Sequence, residues 1–93
     1  MPLPQFQTLL TQMKRLAFSD EKINAAQDAV RSGYHFTCDQ IVMLMRTSAF
    51  GDDQVKIASL LFPQAIDPQN FSLLTSALTF ESDRQRLRKA CGR

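Results

Sequence analysis

Apolar side chains recur at intervals of three and four residues along six stretches of the chain, the pattern of helices that bury one face. The stretches carry Phe6, Leu9, Leu10, Met13 and Leu16; Ile23, Ala26 and Val30; Ile41, Leu44 and Met45; Val55, Ile57, Ala58, Leu61 and Phe62; Phe71, Leu74 and Leu78; and Leu87, Ala90 and Cys91. Their spacing predicts six short helices over about residues 4–16, 19–32, 37–48, 51–62, 67–78 and 82–91. Val42 and Met43 make the third helix apolar nearly all round, which predicts that neighbours cover it on more than one side.

Start and stop signals divide the chain at the same places. In FTCDQI, Thr37 and Gln40 form a capping box and Phe36 a hydrophobic staple onto Ile41. IDPQNF repeats the logic, with Asp67 as N-cap, Pro68 at the first helical position and Ile66 stapled to Phe71. In FSDEKI and FGDDQV, Ser19 and Gly51 are read as N-caps, with Phe18 stapled to Ile23 and Phe50 to Val55. The acids that follow, Asp20, Glu21, Asp52 and Asp53, suit the positive end of a helix dipole. Gly33 and Pro63 are the expected stops of the second and fourth helices.

Aligned on Phe18, Phe50 and Phe80, the segments LLTQMKRLAF, IVMLMRTSAF and FSLLTSALTF match without gaps, at intervals of 32 and 30 residues. A period of this size predicts stacked helical hairpins that share one core. The third copy departs from the pattern, with Gln85 at the staple position and Ser82 and Gln85 arranged as a shifted capping box, as terminal repeats commonly do. The expectation is therefore an all-α fold of three stacked hairpins, with a compact six-helix bundle as the alternative. A length of 93 residues predicts one helical domain over 1–93, and the ending KACGR reads as the edge of a domain from a longer protein.

Composition narrows the function classes. With 11 basic and 9 acidic residues, the net charge of +2 sets up no general field for polyanions. The longest apolar run, IVMLM, falls far short of the roughly 20 residues of a membrane span, and MPLPQFQ lacks the features of a secretory signal. Two cysteines 53 positions apart and a single histidine offer no metal-ligand spacing. Cys38 and Cys91 are read as reduced thiols rather than a disulfide, in keeping with a soluble intracellular chain.

Cys38, His35 and Asp39 lie close together in YHFTCDQ, yet neighbours in sequence rarely meet in triad geometry. The acidic turns SDE and GDD lack the spread of ligands of a calcium loop. No catalytic, cofactor or metal site is expected. Candidate partner-binding residues are Arg84, Arg86, Arg88 and Lys89 in the basic last helix, Tyr34 in the second connection, and Met43, which with Met13 and Met45 suggests an adaptable groove.

The run FTCDQIVMLMRTSAFGDDQVKIASLLFPQAIDPQNF, followed by LTFESDRQRL, resembles the domain-of-unknown-function family 4476 over about residues 6–91. The matching positions are Gln40, Phe50, Asp53, Lys56, Leu61, Phe62, Pro63, Asp67, Asn70, Phe71, Phe80, Ser82 and Arg84, the last where Lys is more usual. The resemblance implies a small all-helical domain and supplies no catalytic or cofactor residues. The expected function is a non-catalytic protein-interaction or scaffold module, with contact to nucleic acid or anionic lipid through the basic last helix as the alternative.

Overall fold

The computed structural model describes residues 1–93 and places them in six α-helices: α1 (Leu3–Arg15), α2 (Ser19–Arg31), α3 (Cys38–Met45), α4 (Gly51–Leu61), α5 (Ser72–Ser76) and α6 (Glu81–Ala90). The fold is all-α, and its one extended pairing is an isolated parallel bridge between Phe36 and Ala65. Two 3₁₀ turns, Phe62–Gln64 and Pro68–Asn70, link α4 to α5. The second replaces the first turn of the expected fifth helix, because the Asp67 carboxylate is engaged at Cys38 and Asn70 instead.

Within the row of even-numbered helices, α4 contacts both α2 and α6, while α3 contacts α1, α4 and α5. The envelope of 31 × 28 × 18 Å has a shortest extent that fits two helix layers, given about 8–10 Å between packed axes. One cluster of 21 buried residues fills the space between them. Phe36, Ile41, Leu44, Met45, Ile57, Leu61 and Leu74 are fully enclosed in it.

Two helices present faces that the apolar pattern did not single out. The buried stripe of α2 is Lys22, Ala25, Ala26 and Ala29, whereas Ile23 and Val30 lie at the core's edge. Alanine at the centre of the contact lets α1 and α4 approach closely, so the larger side chains fill the margins. In α3, Cys38, Ile41, Leu44 and Met45 are buried but Met43 is 47% exposed, so one side of this apolar helix stays open to solvent.

Helix ends agree with the sequence in some places and depart in others. Thr37 and Gln40 form the full capping box, and Gly33, with φ of 87°, takes the left-handed position after α2. Asp67 reaches elsewhere: one carboxylate oxygen accepts the Cys38 amide at 2.8 Å and the other accepts Asn70 Nδ2 at 2.9 Å. It therefore serves the start of α3, not of α5. Ile66 is 62% exposed and staples nothing, its amide donating instead to the Phe36 carbonyl at 2.9 Å.

Lys22 shows how the helices are held to one another. Its ammonium donates to the Met13 carbonyl at 2.8 Å and the Thr47 carbonyl at 2.7 Å, closing the ends of α1 and α3 together. Both carbonyls lie where a helix end leaves acceptors unpaired. Lys22→Met keeps the apolar stem and removes both donors, so urea unfolding should show a loss of about 1–3 kcal/mol.

Candidate functional site

The first turns of α2, α4 and α6 lie side by side at one edge of the molecule. Ser19 Oγ donates to Asp53 Oδ2 at 2.6 Å, joining α2 to α4, and Arg86 pairs with Asp52 at 2.6 Å, joining α6 to α4. Gly51 sits against Asp83, where an added Cβ would fall 2.9 Å from Asp83 Cγ. Glycine at this position is thus a matter of space: the α6 carboxylate occupies the volume of a side chain.

At each of these helix starts stands a phenylalanine. Phe18, Phe50 and Phe80 are the N-cap residues, with extended backbones of φ −110°, −104° and −104° and ψ 143°, 135° and 139°. Their side chains are 69%, 69% and 66% exposed. The staples expected of Phe18 and Phe50 are therefore not made, and Ser19 and Gly51 are the first helical residues rather than the caps. The shifted box of Ser82 and Gln85 does not form either, since Phe80 takes the same place as its two counterparts.

The reason lies four residues further on. Lys22, Gln54 and Arg84 occupy equivalent places, and each turns inward onto carbonyls at the end of a preceding helix. Gln54 Nε2 donates to the Ser48 carbonyl at 2.8 Å, and Arg84 Nε donates to the Thr75 and Leu78 carbonyls, both at 3.1 Å. A long donor in all three copies was a visible signal for this role. With the inner side taken by donors, the three rings are left in solvent as a ridge along the edge.

Charge is distributed unevenly along the ridge. At the α6 side, Glu81 pairs with Arg84 and Arg88, both at 3.4 Å, and these guanidiniums hold its carboxyl below the ordinary range. Asp52 and Asp83 share Arg86. At the α2 side, Asp20 and Glu21 are exposed in the first turn and have no cationic partner.

The candidate residues of the sequence do not gather into one site. Arg84, Arg86 and Arg88 are engaged with the acids just named, which leaves Lys89 as the cation of α6 without an ion pair. Tyr34 is half-buried at a hollow of about 310 Å³ between α1 and α2. Met43 rims a separate hollow with Leu10, Lys14, Arg46 and Thr47. The Phe ridge was missed as a surface because Phe18 and Phe50 were assigned places inside staples and Phe80 was read as part of an atypical third copy.

The thiol cluster is not assembled for chemistry. Cys38 is buried, with its Sγ donating to the Asp67 carbonyl at 3.3 Å, while His35 and Asp39 are exposed. Burial and then the Asp67 carboxylate push the Cys38 thiol up from 9.0 to about 11, away from thiolate at neutral pH. Cys91 is also a free thiol raised by burial. No group of three or more His, Cys, Asp or Glu is placed to hold a metal ion, and no helix is long and apolar enough to cross a membrane.

One family model matches the chain, described as Domain of unknown function (DUF4476), over residues 2–91. No curated protein and no solved structure matches it.

The raised thiol sets a pH dependence. An unfolded thiol ionises from 9.0 upward while the folded one keeps its proton to about 11, so stability held below 9.0 is lost as the pH rises through that window. Cys38→Ala should flatten the alkaline limb of a stability–pH curve measured by chemical denaturation. At neutral pH, iodoacetamide should label Cys38 only at the rate of unfolding.

Proposed function

Since the chain belongs, over residues 2–91, to the family described as Domain of unknown function (DUF4476), which prescribes no chemistry, we propose from its surface that it is a non-catalytic protein-interaction module. The observation that carries this reading is the ridge of Phe18, Phe50 and Phe80, three rings about two-thirds exposed on adjacent helix starts. Clustered exposed aromatics mark interaction surfaces, and aromatic anchors dominate binding energy when covered. None of the three belongs to the buried core, so all three rings are free to be covered by a partner.

We read the scaffold as three stacked helical hairpins, α1–α2, α3–α4 and α5–α6. The gapless sequence period supports this, as do the matching backbone of the three Phe caps and the contacts of α4 with both α2 and α6. Such stacking sets equivalent residues in a line, the geometry a recognition surface needs. Contact with nucleic acid or anionic lipid through α6 is less supported, because three of its cations already face acids of the same chain.

A pull-down with the chain as bait, run at low and high salt, tests the reading. The triple variant Phe18→Ser, Phe50→Ser, Phe80→Ser should keep its unfolding midpoint, since exposed substitutions shift stability by about 0.5 kcal/mol or less each. It should lose a protein partner that the unaltered chain retains at high salt. Lys89→Glu, which breaks no internal contact of the kind Arg84 makes, should leave capture unchanged. Partner capture by the triple variant, or recovery only of nucleic acid abolished by salt and by Lys89→Glu, would defeat the proposal.

A further inference from the structure

We propose that the hollow between α1 and α3 is a binding site for a small aliphatic carboxylate. Lys14 and Arg46 hold the carboxylate group, and Leu10 and Met43 lie along its hydrocarbon chain.

The hollow, of about 320 Å³, is lined by Leu10, Lys14, Met43, Arg46 and Thr47, none of them a residue of the Phe ridge. Ligand pockets span about 300–1,000 Å³, so this one suits a small molecule. Its walls are one face of each helix, since Leu10 and Lys14 are one turn apart on α1, as are Met43 and Arg46 at the end of α3. The two helices run in the same direction. Near their starts Gln40 Nε2 donates to the Met1 carbonyl at 2.7 Å, and at their ends the Lys22 ammonium joins the Met13 and Thr47 carbonyls. Lys14 and Arg46 therefore share one end of the hollow, and Leu10 and Met43 stand one turn, about 5 Å, toward the other.

Each end is equipped for one part of the ligand. Neither Lys14 nor Arg46 has an ion pair, whereas Arg84, Arg86 and Arg88 are taken by acids of the chain. Two unpaired cations on one hollow complement an anion, and the planar fork of Arg46 matches the two oxygens of a carboxylate. At the other end, Met43 is 47% exposed and Leu10 belongs to the buried cluster, so the hollow opens onto the core itself. A hydrocarbon chain laid there removes apolar surface from water.

Phosphate is a poorer fit. The ends of α1 and α3 present carbonyls and the negative pole of the helix dipole, not the amides that cradle a phosphate at a helix start. The Thr47 hydroxyl offers no donor, because it is spent on the Leu44 carbonyl at 2.7 Å. What is left suits a single negative charge attached to an apolar body.

The test is a titration of the intact chain with hexanoate, followed by its amide signals in NMR spectra. Saturable shifts are expected at Leu10, Lys14, Met43, Arg46 and Thr47, with a Kd of about 1 mM for so small a ligand. Acetate lacks the chain and hexanamide lacks the charge, so each should bind the unaltered protein about tenfold more weakly, a comparison that needs no variant. Lys14→Gln and Arg46→Gln should each weaken hexanoate about tenfold, as for loss of one charge-assisted hydrogen bond, and leave hexanamide unchanged. Absence of saturation, equal binding of hexanamide or of phosphate, or hexanoate affinity unchanged in both variants would each overturn the inference. Shifts centred on Tyr34 would do the same, as would binding of an acidic peptide where hexanoate fails, which would make the hollow a protein contact.

Discussion

The structure depends on how its short helices end. An odd-numbered helix here is followed closely by a turn into an even-numbered one, with no left-handed glycine after α1, α3 or α5 to close the last carbonyls. Lys22, Gln54 and Arg84 supply that closure from the first turn of the following helix, and Lys22 closes two helices with one ammonium. A donor drawn inward at this point leaves no room for an aromatic ring on the same side. The outward position of the three Phe is thus a consequence of hydrogen-bond satisfaction inside the fold.

The Phe edge and the surroundings of the α3 start are built differently. At the Phe edge, helices are joined by side chains: Ser19 to Asp53, Arg86 to Asp52, and Asp83 pressed on Gly51. Around the start of α3 the chain is joined by the backbone bridge of Phe36 to Ala65 and by the Asp67 carboxylate, which accepts the Cys38 amide. Near this seam Phe62 and Phe71 meet edge to face at 5.0 Å, and the Arg93 guanidinium lies 5.1 Å from the Phe62 ring. None of these contacts involves the exposed rings of Phe18, Phe50 or Phe80.

Much of this was legible from local patterns, and what was not is informative. Helix number, the capping box at Thr37 and Gln40, the stop at Gly33 and the family resemblance all rest on residues within a few positions of one another, where sequence reasoning is strongest. Asp67 looked like a local cap and instead caps α3 from 29 residues away. Phe18 and Phe50 looked like staples because an apolar residue before a helix usually packs inward; a competing donor four places on decided otherwise. The basic α6 looked free because its acidic partners on α4 and in its own first turn are assigned only by the fold.

The Gly51 contact also sets a limit on growth. Along the even row, the first residue of one helix faces a carboxylate three residues past the next phenylalanine: Ser19 meets Asp53 with a hydroxyl, and Gly51 yields space to Asp83. On α6 the corresponding first residue is Glu81. A fourth helix added by the same rule would bring its carboxylate against another carboxylate, and like charges so placed repel. Such a carboxylate would also compete with Glu81 for Arg84 and Arg88, the two cations that already hold it.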